Sequence, residues 1–457
     1  MSRYDDAVTY ARSNREQSLR SLMDLLRIPS ISTLPDHIPD MQRSAQWLVE
    51  RLATLGFERA QILPTARHPV VYAEWLKAGP SAQTVLFYGH YDVQPTDPIE
   101  LWRTNPFEPV VVGDNLFARG ASDMKGQVMA HLNAIEAILR TGDLPVNLKI
   151  MLEGEEEIGS PSLPAFIEQH RQLLNSDFCL NGDSGILGAE TPALTISLRG
   201  LAYFEIIVQG PAGDMHSGGF GGAVDNPALV LCQVIAGMRD AKGVIRLPGF
   251  YDDVRPLTAR DRKELAKLPT NEAWWLAQTG VPQLAGESGY TSTERASARP
   301  TLDVNGMLSG FTGEGSKTVL PAKAMAKVSM RLVPDQDPDS IRKSFMTYLE
   351  KHMPPTVRWG VIEHASCRPS IIEMDSRPVA AAASALHTVW GKAPLYARTG
   401  GSVPVVGHIK DLLGLDSMML GFGLPDDNLH APNEKQHVPT FYNGIETFIR
   451  FYEEIAA

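Results

Sequence analysis

Residues 84–95 read TVLFYGHYDVQP, an apolar run that ends at His90 and passes directly into an acidic, turn-rich segment. Two later stretches have the same form, NLKIMLEGEEE at 147–157 and DFCLNGD at 177–183. Short apolar runs of this kind are typical of buried strands, and a helical pattern at 124–140 separates the first two. The alternation predicts an α/β fold with a mainly parallel sheet that is covered by helices on both faces.

The three predicted strands share ionisable side chains at their carboxyl ends. The first ends at His90, the second in a run of glutamates that closes with Glu157, and the third at Asp183. Open α/β sheets bind ligands outside the carboxyl ends of their strands. We therefore expect these side chains to lie close together at one edge of the sheet.

The pattern changes near Leu198, where elements follow in the order strand, helix, strand, strand, helix, strand. This order predicts a compact α+β domain of the ferredoxin-like kind. A polar, irregular stretch at 248–300 interrupts it and predicts a surface insertion. Because the α/β pattern returns afterwards, we predict one discontinuous domain at 1–197 and 375–457, with a second domain inserted at 198–374.

Composition limits the function classes. The chain has 457 residues, 43% of them hydrophobic and 21% charged, which is typical of a globular protein of two or three domains. A net charge of −11 disfavours nucleic acid or an anionic membrane as partner. The three cysteines are far apart and odd in number, and no apolar stretch resembles a signal peptide or a membrane span. We expect buried thiols in a cytoplasmic protein.

Metal-binding residue types recur in five glycine- or turn-rich segments: GHYDVQP, RGASDMKG, EGEEEIGS, NGDSG and LHAPNEK. Carboxylate oxygens mixed with imidazole nitrogens suit zinc or manganese. Two such ions need about six or seven ligating groups, including one shared carboxylate. The five segments together contain enough His, Asp and Glu side chains for a dinuclear site.

Taken in order, HYDVQP, RGASDMKG, EGEEEIGS, DMHSGGFGG, TVLP with SMRLVP, GGSVP and HAPNEK span nearly the whole chain. This ordered set resembles the dinuclear zinc peptidase family that contains the carnosinases, carboxypeptidase G and succinyl-diaminopimelate desuccinylase. HAPNEK, DMHSGGFGG and the paired TVLP and RLVP are most similar to the carnosinase-like cytosolic dipeptidases. The resemblance implies a metallopeptidase whose discontinuous α/β domain is catalytic and whose inserted domain serves as lid and dimerisation domain.

The resemblance also implies two divalent cations per subunit, zinc or alternatively manganese. Their ligands would be His90, Asp123, Glu157, Asp183 and His430. Asp123 would bridge the two ions, with a cis peptide bond to Met124. Asp92 would hydrogen-bond the second ring nitrogen of His90 and fix its tautomer, as carboxylates near metal-bound imidazoles do.

The glutamate run at 153–157 requires a choice of register. In the family pattern the functional pair lies directly before x-G-S, which selects Glu156 and Glu157 in EEIGS. Adjacent residues of an extended segment point to opposite sides, so that one carboxylate can bind metal while its neighbour faces the attacking water. Glu156 is then the general base, and we interpret Glu153 and Glu155 as part of a solvated acidic turn.

Catalysis, as the resemblance implies it, begins when the two cations lower the pKa of a bridging water and Glu156 accepts its proton. Glu156 would then pass this proton to the leaving amine. His216, supplied by the inserted domain of a second subunit, would stabilise the oxyanion. Arg331 would bind the free carboxylate of the substrate, because a guanidinium binds carboxylates in a bidentate manner. The lesser substrate contacts would be Thr318, Gly401 and Ser402.

The main hypothesis is a homodimeric, cytoplasmic dipeptidase for small peptides with a free carboxylate. An N-acyl amino acid deacylase or a carboxypeptidase would use the same catalytic set. A catalytically silent binding or assembly protein would be expected to lack the base or a ligand, and here Glu156 and every matched ligand are present. A two-metal phosphoesterase has no support in the sequence, which shows no cluster of phosphate-binding Arg or Lys residues.

Overall fold

The structure is a computed structural model that describes residues 3–401 and 403–456. Its strands are β1 (Glu58–Leu63), β2 (Val70–Trp75), β3 (Thr84–His90), β4 (Val110–Val112), β5 (Asn115–Phe117), β6 (Asn147–Glu153), β7 (Phe178–Asn181), β8 (Ala193–Leu198), β9 (Gly200–Gln209), β10 (Met215–His216), β11 (Thr301–Ser309), β12 (Val319–Leu320), β13 (Lys323–Leu332), β14 (Arg358–Cys367), β15 (Ser370–Ile371), β16 (Leu395–Thr399), β17 (Ser417–Met419) and β18 (Lys435–His437).

The α-helices are α1 (Arg3–Ser13), α2 (Arg15–Leu26), α3 (Ile38–Thr54), α4 (Lys125–Thr141), α5 (Leu163–Gln169), α6 (Arg171–Leu174), α7 (Ser217–Phe220), α8 (Pro227–Gly237), α9 (Ala259–Leu265), α10 (Glu272–Thr279), α11 (Ser292–Ser297), α12 (Pro338–His352), α13 (Arg377–Trp390), α14 (Pro404–Leu413) and α15 (Val438–Ala456). Short 3₁₀ helices lie at Pro35–His37, Ile99–Leu101 and Glu156–Ile158. No helix in these described parts of the chain is long and apolar enough to cross a membrane.

The chain forms two compact units. The first comprises the chain up to Ile196, residues Ile371–Ala397 and the chain from His408 onwards. The second comprises Ser197–Ser370 together with Arg398–Gly407. The short segment Arg398–Gly407 thus belongs to the second unit, whereas the sequence pattern placed it in the returning α/β segment. A segment this short has too little hydrophobic periodicity for its domain to be assigned from sequence.

The first unit contains a large mixed sheet with the strand order β1-β2-β6-β3-β7-β17-β8-β15, to which β16 adds through β8. The four central strands β6, β3, β7 and β17 pair in parallel, while β1, β2 and β8 add antiparallel neighbours at the flanks. The predicted α/β class is confirmed, with the parallel pairing confined to the centre. The predicted functional strands β3, β6 and β7 all lie in this parallel part.

Helices α1, α2, α13 and α15 pack with α4 into the core of this unit, directly or through one another. Helix α4 is buried over most of its length because its sequence is apolar on more than one face. His131 on α4 stacks on Phe87 of β3, with 3.7 Å between the ring centroids, and contacts Tyr452 of α15 through a 2.7 Å hydrogen bond. Burial lowers the pKa of His131 to about 3, so this histidine is a neutral core residue.

The second unit contains a four-stranded antiparallel sheet with the order β11-β13-β9-β14. Burial alternates along β9 and β13 with a period of two, which directs residues such as Phe204 and Val328 towards helices α8 and α12. The opposite side chains, which include Ser329 and Arg331, are half-buried. The elements follow in the predicted β-α-β-β-α-β order.

Two expectations from sequence need correction. The stretch 248–300 is not irregular, since it contains α9, α10 and α11. Capping boxes start two of these helices, at Thr258 with Asp261 and at Thr291 with Glu294, and this T-x-x-D/E pattern was readable in the sequence. The cysteines are free thiols, but only two are buried, because Cys232 is exposed on α8.

Candidate metal centre

The central parallel strands bring the predicted site residues to one edge of the first unit. In the β3/β6 ladder His90 lies opposite Glu153, and in the β3/β7 ladder Tyr88 lies opposite Asn181. The three strands therefore end at nearly the same level. Glu157 and Asp183 follow within four residues of their strand ends, which places them at the same edge of the sheet as His90, as predicted.

The five predicted ligands form two adjacent groups that share one residue. In one group the ligand atoms of His90, Asp123 and Asp183 lie within 4.8 Å of one another, and in the other those of Asp123, Glu157 and His430 do. One oxygen of Asp123, Oδ1, lies 3.1 Å from His90 Nε2, and the other, Oδ2, lies 3.1 Å from His430 Nε2. The shared carboxylate thus presents one oxygen to each imidazole, which fits a carboxylate that bridges two cations. The bond from Asp123 to Met124 is cis.

Electrostatic interactions within the two ligand groups shift the pKa values of their side chains. Burial acts to raise the pKa of Asp123, but hydrogen bonds from His430 and His90 outweigh it, so that the pKa is lowered. Hydrogen bonds to Asp123 and Glu157 raise the pKa of His430 to about 10. Burial raises the pKa of Asp183 to about 7, and the negative charge of Asp123 adds to this effect. Clustered carboxylates repel one another, so divalent cations would be strongly favoured among them.

Asp92 supports His90 and the glutamate pair together. The Nδ1 atom of His90 lies 3.1 Å from the backbone carbonyl of Asp92 and 3.4 Å from its carboxylate, so the carbonyl is the nearer acceptor. The carboxylate accepts the backbone N–H groups of Glu156 and Glu157 at 3.3 and 3.1 Å. Asp92 is completely buried and therefore fixes the first turn after β6 relative to the end of β3.

The two glutamates have different surroundings. Glu157 Oε2 lies 3.2 Å from His430 Nε2 and accepts a 2.9 Å hydrogen bond from Gln94, so it is turned towards the second ligand group. Glu156 belongs to neither group. Burial raises the pKa of Glu156 to about 9, with Asp183 and Glu157 acting in the same direction and His90 opposing. A raised pKa is typical of a carboxylate that accepts and returns a proton.

Glu434 is a supporting residue that the sequence reasoning missed. Its buried carboxylate accepts the backbone N–H groups of Gly120, Ser122 and Asp123 at 2.9, 3.0 and 3.0 Å. It also accepts a 2.8 Å hydrogen bond from Arg119. One side chain therefore fixes the backbone of the loop that presents Asp123. Glu434 and Gln94 both lie inside motifs that were quoted for other residues, HAPNEK and HYDVQP.

The interpretation of Glu153 and Glu155 as a solvated acidic turn is wrong. Both are almost completely buried. Glu153 accepts hydrogen bonds from Tyr88 and Ser160, and burial raises its pKa to about 8. Glu155 accepts the backbone N–H of His68 at 2.8 Å and that of Ser162 at 3.0 Å. A run of acids appears solvated in sequence because its partners are distant along the chain.

The second unit carries the remaining predicted residues. His216 is exposed in β10, and its Nδ1 accepts the backbone N–H of Gly218 at 3.0 Å. Pairing of β10 with β12 brings His216 near Thr318. The carbonyl of Thr318 accepts the backbone N–H of Ser217. Arg331 is half-buried on β13. Gly401 is exposed and donates its N–H to the side chain of Thr399. Ser402 lies outside the described residues.

Comparison with known proteins identifies the family. The profile of peptidase family M20/M25/M40 matches residues 86–454. The chain belongs to this family. The Cys-Gly metallodipeptidase of Candida albicans is 33% identical over 458 residues, which cover 95% of this chain and 94% of that protein. The human Beta-Ala-His dipeptidase is 29% identical over 465 residues, which cover 98% of this chain and 92% of that protein.

Solved structures of relatives have the same architecture. The M20 family metallo-carboxypeptidase of Sulfolobus solfataricus has a TM-score of 0.82 at 33% identity and covers 96% of this chain and 99% of its own. Human carnosine dipeptidase 1 has a TM-score of 0.77 at 28% identity and covers 100% of this chain and 99% of its own. The resemblance seen in the sequence motifs is confirmed, and the chain is a metallopeptidase by family.

A substitution at Glu434 tests its support of the Asp123 loop. In Glu434→Gln, an amide group would replace one of the oxygens that accept the backbone N–H groups and Arg119. We expect the affinity for zinc to fall about 10- to 100-fold, the range for residues that orient metal ligands. Zinc titration of chelator-treated protein measures it. Glu190→Gln, at an exposed glutamate of the same unit, is the matched control. Equal zinc affinities in the two variants would contradict the assignment.

Proposed function

We propose that the protein is a dipeptidase that uses two divalent cations to hydrolyse the amide bond of dipeptides with a free carboxylate. The observation that carries this proposal is the pair of ligand groups that share Asp123. Relatives named as Cys-Gly and Beta-Ala-His dipeptidases match nearly the whole chain and favour a dipeptide substrate. Carboxypeptidase activity is the second candidate, because the chain is also similar to the metallo-carboxypeptidase of Sulfolobus solfataricus.

The proposed metal ligands are His90, Asp123 and Asp183 for one cation and Asp123, Glu157 and His430 for the other. We propose zinc, with manganese as the alternative, because mixed imidazole and carboxylate donors suit both. When bound, the cations would polarise the substrate carbonyl and make water a stronger nucleophile near neutral pH. His90 and His430 bind such cations in their deprotonated form, so metal binding would release protons.

Glu156 is the proposed general base. It lies next to Glu157 in sequence yet outside both ligand groups. The charged groups that shift its pKa are His90 and three carboxylates, and none of them is a lysine or an arginine that would hold it in a fixed ion pair. It would accept a proton from the attacking water and donate it to the leaving amine. Asp92 would act through other residues, since it fixes His90 and the backbone of the glutamate pair.

The proposed substrate contacts lie in the second unit. Arg331 would bind the terminal carboxylate, with Thr318, Gly401 and Ser402 as further contacts. His216 of the partner subunit would stabilise the oxyanion, which requires its imidazole to be available to another molecule. Its exposed position in β10 supports this.

A homodimer is part of the proposal. Strand β11 is an edge strand of the second unit and exposes the large apolar side chains of Val304, Met307 and Leu308. An exposed apolar edge strand tends to pair with other chains and to aggregate unless a partner subunit covers it. We place the enzyme in the cytoplasm, where its three free thiols would remain reduced.

A substrate panel tests the proposed specificity. Chelator-stripped protein that is reloaded with zinc or manganese should hydrolyse Ala-Ala and Cys-Gly in preference to N-acetylalanine, tripeptides and amidated dipeptides. Arg331→Lys should reduce kcat/KM for free dipeptides about tenfold or more, because a lysine loses the bidentate contact. It should affect amidated dipeptides much less. An equal loss for both substrate types would exclude a carboxylate contact, and a preference for tripeptides or N-acyl amino acids would indicate the alternative activities.

Glu156→Gln tests the general base. The substitution removes the proton acceptor and no proposed metal ligand, so kcat should fall at least about 100-fold while two metal ions remain bound. Steady-state kinetics and metal analysis on the same sample measure both quantities. Glu190→Gln again serves as the control. Near-normal turnover, or loss of both ions, would show that Glu156 has a different role.

Mixed dimers test whether His216 acts across the subunit interface. Homodimers of Glu156→Gln and of His216→Ala should both be nearly inactive. A mixed dimer would contain one site with both substitutions and one with neither, so a random mixture should recover about a quarter of the wild-type activity. Two affinity tags allow the mixed species to be purified, and this species should reach about half of the wild-type value. Purified mixed dimers without activity would show that His216 acts within its own subunit.

A further inference from the structure

Residues 428–433, here called the His430 loop, project between two buried acids. Asp427 and Glu434, which flank the loop, are almost completely buried, whereas the residues between them are exposed or half-buried. Three residues of the loop have φ angles in the left-handed region: 56° at Asn428, 58° at His430 and 64° at Asn433. This conformation is unfavourable for residues with a Cβ atom and persists only where surrounding contacts maintain it. The shape of the loop therefore depends on its anchors.

Asp427 closes the base of the His430 loop. Its backbone carbonyl accepts the N–H of Lys435 at 3.0 Å, which joins the two ends of the loop. Its carboxylate links the same two residues a second time, because Oδ1 lies 3.1 Å from Lys435 Nζ. The side chain of Asp427 is fully buried and that of Lys435 is 12% exposed. An ion pair in this position is shielded from solvent, so it fixes the loop ends more firmly than an exposed pair would.

The other oxygen of Asp427 connects the loop to the segment that presents Asp123. Oδ2 of Asp427 accepts the hydroxyl of Ser122 and the backbone N–H of Leu424, both at 2.7 Å. Ser122 directly precedes Asp123, whose Oδ2 lies 3.1 Å from His430 Nε2. One buried carboxylate thus ties the base of the His430 loop to the neighbour of the residue that His430 contacts.

A second anchor lies at the outer side of the loop and is weaker. Asn433 donates to the carbonyl of Leu101 at 2.9 Å and accepts the backbone N–H of Arg103 at 2.8 Å. Both hydrogen bonds are uncharged and exposed, so water competes for them. The bonds to the carboxylate of Asp427 are charge-assisted and buried, which makes them the stronger anchor.

The first ligand group, formed by His90, Asp123 and Asp183, has separate supports. His90 ends β3 and is fully buried, and Asp183 follows β7 by two residues. The backbone of Asp123 is held by Glu434, through a hydrogen bond of 3.0 Å to its N–H. Of the five proposed metal ligands, only His430 belongs to the His430 loop. A change at the base of the loop should therefore act on the second ligand group.

We propose that Asp427 is a positioning residue for the second cation and holds the His430 loop in the conformation that brings the imidazole to Asp123 and Glu157. The inference rests on the part of the proposed function in which His430 binds this cation. Asp427 acts through His430 and contacts neither ion. Its loss should weaken binding of the second cation and leave binding of the first nearly unchanged.

Asp427→Asn tests this role through metal binding, without any substrate. The amide keeps the size of the side chain and removes the charge that pairs with Lys435. Chelator-stripped protein is titrated with zinc in competition with a chelator of known affinity. One of the two binding steps should weaken about 10- to 100-fold, the range for residues that orient metal ligands. The other should stay within about twofold, the scatter expected between independent sites.

Reference variants assign the two steps and control for the loss of charge. His430→Ala should weaken the same step as Asp427→Asn, and His90→Ala should weaken the other. Asp426→Asn is the matched control, because Asp426 also lies 3.1 Å from Lys435 Nζ but its side chain is 75% exposed. Both zinc affinities should be unchanged in it. Adding Lys435→Gln to Asp427→Asn restores an uncharged hydrogen-bonding pair and should recover part of the lost affinity.

The zinc titrations separate the inference from the proposed function. Equal weakening of both steps in Asp427→Asn would overturn the inference, since Asp427 would then stabilise the whole unit, and so would no weakening of either step. If Asp427→Asn does not fold, Lys435→Gln alone decides by the same criteria, because it removes the other charge of the pair. A wild-type protein that binds two ions and hydrolyses no dipeptide would contradict the proposed function alone. A wild-type protein that binds fewer than two ions would contradict both.

Discussion

The carboxylate of Asp123 is the constraint on which the catalytic unit depends. Its two oxygens contact the imidazoles of His90 and His430, which come from segments more than 300 residues apart in the chain. A single carboxylate can serve both only if the loop that carries it is fixed. Glu434 provides this by accepting three backbone N–H groups of the loop, so that a buried acid near the C-terminus controls the position of an acid near the N-terminus.

Buried charge at this edge of the sheet is compensated mainly by backbone groups. Asp92 accepts two amides of the turn after β6, Glu155 accepts amides at His68 and Ser162, and Glu434 accepts three more. Buried carboxylates without such partners would be unfavourable by several kcal/mol. Burial also raises the pKa of Glu156 to about 9, that of Glu153 to about 8, and those of Asp183 and Glu434 to about 7. Two of these acids, Glu156 and Asp183, are residues to which the proposed function assigns a mobile proton and a cation.

Sequence reasoning was most successful where a local pattern determines a three-dimensional position. The parallel strands β3, β6 and β7 end at His90 and shortly before Glu157 and Asp183, so these side chains had to reach one edge of the sheet, and the structure places them there. Glu434 could not be assigned, because its role depends on hydrogen bonds to a loop more than 300 residues away.

In the proposed function, the residues for chemistry and those for substrate recognition lie in different units. Every proposed metal ligand and the general base lie in the first unit, whereas His216, Thr318 and Arg331 lie in the second. The first unit is constrained by buried carboxylates whose hydrogen bonds leave little freedom for substitution. In the proposed function the second unit would carry the substrate contacts, and two helices of its insertion start from local capping boxes. None of the proposed metal ligands lies in this insertion. The same proposed catalytic set would therefore be compatible with dipeptidase and carboxypeptidase activity, with the substrate selected by residues of the second unit.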